Sequence, residues 1–171
     1  MREVRACFFI GHREAGENLL PYLTDTVGQL ITSCGVTRFY VGGYGNFDRL
    51  SGKAVIALKN SFPDIRLFLV IPYHPAERPV PTPRGYDGTY YPQSMESVPR
   101  KFAIVRANRR MIDECDYLVA FVWHPASNAR EFLEYARRRE KKGLIHVENL
   151  GERKDVLRAV LVDRAAPNAL L

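Results

Sequence analysis

Apolar residues gather in short, nearly unbroken runs separated by longer stretches of mixed polarity. Val4 to Ile10, Thr37 to Val41, Ile65 to Ile71, Tyr117 to Trp123 and Leu144 to Val147 are such runs. Each is short and β-prone, so each predicts a buried strand. The intervening stretches predict helices. The first runs from about Glu14 to Cys34, with Pro21 near the start of its regular part and Gly35 as its C-cap. The second opens at the candidate caps Asn46 and Asp48 and runs to about Asn60. The third spans Pro99 to about Glu114, with proline in the first turn, and the fourth Asn128 to about Lys142, ended by Gly143. Asn128 and Glu131 fit a capping pattern, an acceptor with Glu three residues later. Strands alternating with helices predict an α/β domain of three layers. We expect a mostly parallel sheet of about five strands with helices on both faces, over residues 1–150. Residues 151–171 read as a C-terminal extension with a weak helical pattern and a loose tail.

The rhythm breaks between Pro72 and Val98. Seven of the eleven prolines fall between Pro72 and Pro99, and four of the nine tyrosines lie there. A connection this long is usually a lid or a binding loop when it is ordered. The aromatics argue for order, so Tyr73, Arg78, Tyr90 and Tyr91 are candidate lid residues.

The 171 residues suit one domain with a sizeable core. No run approaches the roughly 18 apolar residues of a membrane span. The first residues lead straight into a strand, which argues against a signal peptide. Cys7, Cys34 and Cys115 are odd in number and set among apolar residues, as reduced core thiols are. A cytoplasmic location is therefore expected. No Cys/His spacing suggests zinc, and no metal is expected. The net charge of +6 is concentrated in Arg100, Lys101, Arg106, Arg109 and Arg110 and in a second cluster from Arg137 to Lys142. Cations at a helix C-terminus complement its dipole, which accounts for the second cluster. Nucleic acid is an alternative but not a favoured partner, because no aromatic and basic interleaving accompanies these residues. A homo-oligomer is compatible with the sequence.

Ligands of parallel α/β sheets bind beyond the carboxyl ends of the strands. Those ends carry Gly11-His12-Arg13, the turn Gly42 to Asp48, Pro72 to Arg78, and His124 to Asn128. Gly42, Gly43 and Gly45 crowd one turn before a helix, as in loops that bring backbone N–H groups to a phosphate. Two sharper motifs fail. Asp48 stands where G-x-G-x-x-G needs its third glycine, and Ala54 follows Gly52-Lys53 where a P-loop needs Ser or Thr. The competing reading is a tight turn whose glycines permit positive φ. Arg13 is a candidate phosphate clamp, His12 a phosphate or proton partner, and Asp48 an acceptor for a ribose hydroxyl. Ser127 and Asn128 can offer side chains and N–H groups to an anion. Glu131 is the candidate catalytic carboxylate, with helix capping as its structural alternative. Asp113 and Asp116 read as structural.

These segments together resemble the YpsA-like branch of the SLOG superfamily, the Rossmann-like nucleotide-binding group that includes the DprA and LOG proteins. Ile10-Gly11-His12-Arg13 is similar to a T-G-H-R first loop. Gly42 to Asp48 resembles a G-x-x-x-G-x-D turn, with Asn46 in place of its second glycine and able to adopt the same left-handed conformation. Arg106 to Leu118 resembles an R-N-x-x-M-V-D-x-S-D-x-L-I signature. Ser127 to Glu131 stands where the wider superfamily carries G-G-T-x-x-E, without its glycines. The resemblance covers about residues 4 to 148 and does not account for the Pro/Tyr loop.

The resemblance implies a Rossmann-like domain holding a nucleotide or nucleotide-derived ligand. The first functional expectation is a sensor or effector for a nucleotide or an ADP-ribose-like molecule. Gly11, His12, Arg13, Gly42, Gly43, Gly45, Asn46, Asp48, Ser127 and Asn128 would hold it, with a loop tyrosine on the base. The second is an N-glycosidase or transferase acting on nucleosides or nucleotides, with Glu131 in the reaction and a loop acid as helper. The third is a DNA-binding protein using the basic helices.

Overall fold

A computed structural model describes residues 3–165. Its centre is a six-stranded sheet in the order β4-β3-β2-β1-β5-β6, every pair parallel. The strands are β1 (Arg5–Gly11), β2 (Val36–Val41), β3 (Arg66–Val70), β4 (Gly88–Tyr90), β5 (Tyr117–Phe121) and β6 (His146–Asn149). The helices are α1 (Leu20–Cys34), α2 (Asn46–Leu58), α3 (Ala103–Glu114), α4 (Asn128–Glu140) and α5 (Lys154–Ala165). The protein is thus a Rossmann-like α/β domain.

Alternating side chains of the central strands feed two cores. Phe9, Phe39, Leu67, Val119 and Phe121 pack on the α1, α2 and α5 side. Phe8, Ile10, Leu118, Ala120 and Val122 pack on the α3 and α4 side. Both faces of β1 and β5 are buried, which is why those segments read as unbroken apolar runs. Asp116 is structural: its carboxylate accepts from the Ala6 N–H at 2.9 Å, and its own N–H donates to the Ala6 carbonyl at 2.9 Å. The thiols of Cys7 and Cys115 are buried and pushed up by desolvation, consistent with core packing.

The sixth strand corrects the expected five. β4 lies inside the Pro/Tyr stretch and pairs with β3 through Phe68 and Gly88, Leu69 and Thr89, and Val70 and Tyr90. Three residues at a sheet edge show no measurable alternation, so the hydrophobic pattern could not reveal them. The chain between β3 and β4 crosses without a helix and is pinned at several points. The Tyr86 hydroxyl occupies the space that a Cβ at Gly52 of α2 would need. Asp87 accepts from the Leu67 N–H at 2.8 Å and pairs with Lys59.

Several boundaries also move. The first helix opens as a 3-10 turn at Glu17–Leu19 and becomes α-helical at Leu20, with Pro21 in its first turn. Gly35 caps it at φ 69°, as expected. A 3-10 turn at Arg100–Phe102 precedes α3. The last strand starts at His146 and ends in Asn149, whose buried side chain binds both the Val122 N–H and the Val122 carbonyl at 3.0 Å. The weak pattern after residue 150 is α5, whose Val156 and Val160 join the first core. The expected loose tail at 166–171 lies outside the described residues. Among the described residues, no helix is long and apolar enough to cross a membrane.

Candidate functional site

The chain steps outward from β1 through β2, β3 and β4, then returns to the other side of β1 for β5 and β6. The reversal lies between β1 and β5, where parallel α/β sheets open a crevice at their carboxyl edge. A cleft of about 440 Å³ sits there. Gly11 and Arg13 form its base, the Gly42 to Asp48 turn one wall, and the first turn of α4 another. Ile104, Val105 and Asn108 close it from α3.

The glycine turn is occupied by the protein's own groups. Asp48 sits in the first turn of α2 and accepts from the Tyr44 N–H at 3.0 Å. Thus the carboxylate takes an amide that the sequence pattern assigned to phosphate. Gly42 leaves room for it, since a Cβ there would stand 3.0 Å from Asp48 Oδ2. Burial is the largest influence on this acid and raises it to about 6, against the Tyr44 hydrogen bond and the Arg13 charge, which lower it. Gly45 is the N-cap of α2, and a Cβ on it would approach the Arg13 Cα to 2.8 Å. None of Gly42, Gly43 and Gly45 has a left-handed φ, so close approach and not positive φ explains Gly42 and Gly45. Gly43 meets only Leu69 Cδ1, at an ordinary 3.5 Å, and does not line the cleft.

Asn46 is not left-handed either, contrary to the expectation drawn from the family turn. It is the first residue of α2. Its N–H donates to the Arg13 carbonyl at 2.9 Å, and its side-chain amide donates to the Ala15 carbonyl. Asn46 therefore staples the first loop to the second, and its side chain is engaged within the protein.

The opposite wall is built differently. Ser127, and not Asn128, is the N-cap of α4, and its Oγ accepts from the Ala129 N–H at 3.1 Å. Asn128 is thereby the first helical residue. Glu131 falls one position beyond the capping box, and its side chain lines the cleft together with Ser127 and Asn128. This corrects the capping alternative for Glu131. His12 is buried behind this wall. The Trp123 N–H donates to its Nε2 at 3.0 Å, so Nδ1 carries the proton and faces Ser127 Oγ at 2.9 Å. Its ring stacks on His124 at 3.9 Å. His12 therefore holds the β5–α4 connection in place and does not line the cleft; phosphate or proton contact is not the role its surroundings give it.

The proposed lid residues also sit elsewhere, because the loop packs on the body of the domain. Tyr90 belongs to β4, and its hydroxyl donates to Glu114 at 2.6 Å. Tyr91 and Tyr73 pack against the Met95, Ala103 and Ala107 cluster. The guanidinium groups of Arg78 and Arg100 lie over the Tyr73 ring at 5.5 and 5.3 Å. None of the four lid candidates lines the cleft. The Tyr44 phenol is raised chiefly by its own burial, with a smaller rise from Tyr73 and an opposing effect of the Arg78 charge.

Sequence reasoning passed over Tyr44, Glu14 and His124, which line the cleft, and gave Asn108 no role of its own. Tyr44 was legible as a large aromatic inside a glycine turn; Glu14 carried no pattern. Part of the second basic cluster is engaged internally: Arg137 pairs with Glu140 and Glu152, and Arg139 with Asp113. Among the described residues there is no group of three or more His, Cys, Asp or Glu side chains able to hold a metal ion. No protein-family model matches the chain, and no curated protein matches it.

Proposed function

We propose that this protein binds a nucleotide or nucleotide derivative in the cleft between β1 and β5, as a sensor or effector of the YpsA-like type. The supporting observation is a single one. The first turn of α4, capped by Ser127, faces the same crevice as Arg13 and the carboxyl groups of Glu14, Asp48 and Glu131. A helix N-terminus and a guanidinium suit a phosphate, and carboxylates suit sugar hydroxyls. With Asp48 seated in the glycine turn, the phosphate belongs at α4 and Arg13. Three carboxyl groups to one guanidinium favour a ligand with few charges, such as a nucleoside monophosphate or a ribose-linked derivative, over a triphosphate.

Calorimetry with nucleoside monophosphates, ADP-ribose and nucleotide sugars tests this reading. Arg13→Ala is expected to weaken binding about tenfold or more while the thermal melt is retained. Unchanged affinity in that variant would move the phosphate elsewhere.

A second reading is favoured by one detail: Glu131 is exposed at the cleft and free of the capping box. As a nucleoside or nucleotide N-glycosidase or transferase, the protein would use Glu131 as the reacting carboxylate. Asp48, largely neutral below pH 6, would be the second acid, in place of the loop acid expected from the sequence. Base release from nucleoside monophosphates, abolished in Glu131→Gln, is the expected result. Absence of release across a broad panel would eliminate the enzymatic reading and leave the binding one.

A further inference from the structure

The occupied glycine turn has a product: it fixes Tyr44. The Tyr44 N–H is held by the Asp48 carboxylate at 3.0 Å, and a Cβ on Gly42 would crowd that carboxylate at 3.0 Å. Gly45, on the far side of Tyr44, is locked against Arg13. Yet the side chain of Tyr44 is not consumed in packing. It is 39% exposed and lines the cleft. An exposed aromatic on an immobilised backbone is an unusual arrangement for a turn whose only task is to connect β2 with α2.

Across the cleft, α3 contributes Ile104 and Val105, and Val105 is 48% exposed. Two large apolar side chains thus remain open to solvent at one crevice, on different elements. Exposed apolar groups that converge on a cleft mark a surface waiting for an apolar partner. The shape they suit is flat, since a phenol ring offers a face for stacking. The anion-binding features, Arg13 and the α4 N-terminus, belong to the same crevice. The cleft is therefore divided between a polar sector for a sugar phosphate and an aromatic sector at its rim.

We infer that Tyr44 is the stacking platform for the base of the bound nucleotide, with Val105 on the opposite side, and that Tyr44 separates base-bearing ligands from bare sugar phosphates. This inference rests on the nucleotide reading above and adds to it the recognition of a planar heterocycle. It also replaces the loop tyrosines by a residue of the glycine turn.

The test compares two kinds of probe on the full chain by calorimetry: the four common nucleoside 5′-monophosphates, and ribose 5-phosphate. The wild type is expected to bind at least one monophosphate about tenfold or more tightly than ribose 5-phosphate, the range of a base on an aromatic ring. Tyr44→Ala is expected to lose that advantage while binding ribose 5-phosphate as the wild type does. Tyr44→Phe keeps the ring and is expected to keep the advantage, which guards against a variant that fails to fold. Equal binding of both probes by the wild type, or a monophosphate preference intact in Tyr44→Ala, overturns the inference and leaves the phosphate site standing. Equal weakening of both probes by Tyr44→Ala also overturns it, because Tyr44 would then support the pocket as a whole. Binding of neither probe class by the wild type overturns this inference, and the nucleotide reading falls with it only if ADP-ribose and nucleotide sugars also fail to bind.

Discussion

The two walls of the cleft reach order by opposite means. The glycine turn after β2 is tied to its own chain: Asp48 takes the Tyr44 amide, Asn46 ties α2 to the Ala15 and Arg13 carbonyls, and Gly45 abuts Arg13. The turn after β5 has no glycine, is tied back through His12, and leaves Asn128 and Glu131 exposed at the cleft. Glycine richness is commonly taken as a mark of anion binding, since bare amides can approach a phosphate. Here the richer turn gives its Tyr44 and Asn46 amides to its own chain, and the poorer one opens a helix whose cap and first turn line the cleft. Glycine in such a turn can mean close packing of backbone against backbone as readily as close packing against a ligand.

The sharpest way to break this contrast is at Gly11. A Cβ there would enter the Phe47 ring, which is itself fully packed against the sheet and stacks with Phe121 at 6.2 Å. Gly11→Ala forces ring and strand apart and is expected to cost about 3 kcal/mol, the upper part of the usual overpacking range. Urea denaturation reads it directly. A loss below about 0.5 kcal/mol would mean that the packing of α2 on the base of the cleft is looser than its contacts suggest.

Asp48 sharpens the comparison through pH. Its folded value is raised from 3.8 to about 6. An acid raised on folding is bound more readily to its proton in the native state, so stability falls as pH rises from about 4 through 6. Above pH 6 the cost is fully present. That rise corresponds to roughly 3 kcal/mol. Relaxation and water reaching a carboxyl that lines the cleft reduce this to on the order of 1–2 kcal/mol. Asp48→Asn keeps an oxygen for the Tyr44 N–H and removes the charge. It is expected to be more stable than the wild type by that amount at pH 7, and by little at pH 4. An equal gain at both pH values would trace the effect to something other than ionisation. Stability given up at a cleft acid is also what a functional carboxyl exhibits.

The parallel three-layer architecture was legible because unbroken apolar runs at β1 and β5 can only be buried on both faces. Gly35 was legible because a left-handed residue after a helix is chemically distinctive. β4 was not, because Gly88–Tyr90 is too short to carry a period and lies among prolines. Arg13, Ser127, Asn128 and Glu131 share one cleft, a juxtaposition that could be read from the alternation because strand ends can be counted. The roles of His12, Asn46 and Asp48 were not legible. Each is settled by a hydrogen bond to a distant segment, and residue type alone does not say whether a polar group turns toward a ligand or toward its own chain. Tyr90 and Tyr91 escaped for a related reason: a proline-stiffened loop reads alike whether it covers a pocket or packs on the domain.

The smallest expected effects separate the walls most cleanly. Ser127→Ala removes the cap oxygen from the Ala129 N–H and the partner of His12 Nδ1. A lost N-cap costs about 1 kcal/mol, and the loss of the hydrogen bond to His12 can bring the total to about 2 kcal/mol. Gly43→Ala, inside the glycine turn, adds a methyl that meets only Leu69 Cδ1 at 3.5 Å on a backbone that is not left-handed. It is expected to change stability by less than about 0.5 kcal/mol, because the added restriction of the unfolded chain offsets a mild contact. The pair inverts what motif reading predicts, where the glycine would be indispensable and the serine replaceable. If chemical denaturation finds Gly43→Ala the more damaging of the two, the turn after β2 is under a constraint that packing does not supply, and its amides must be reconsidered as the anion site.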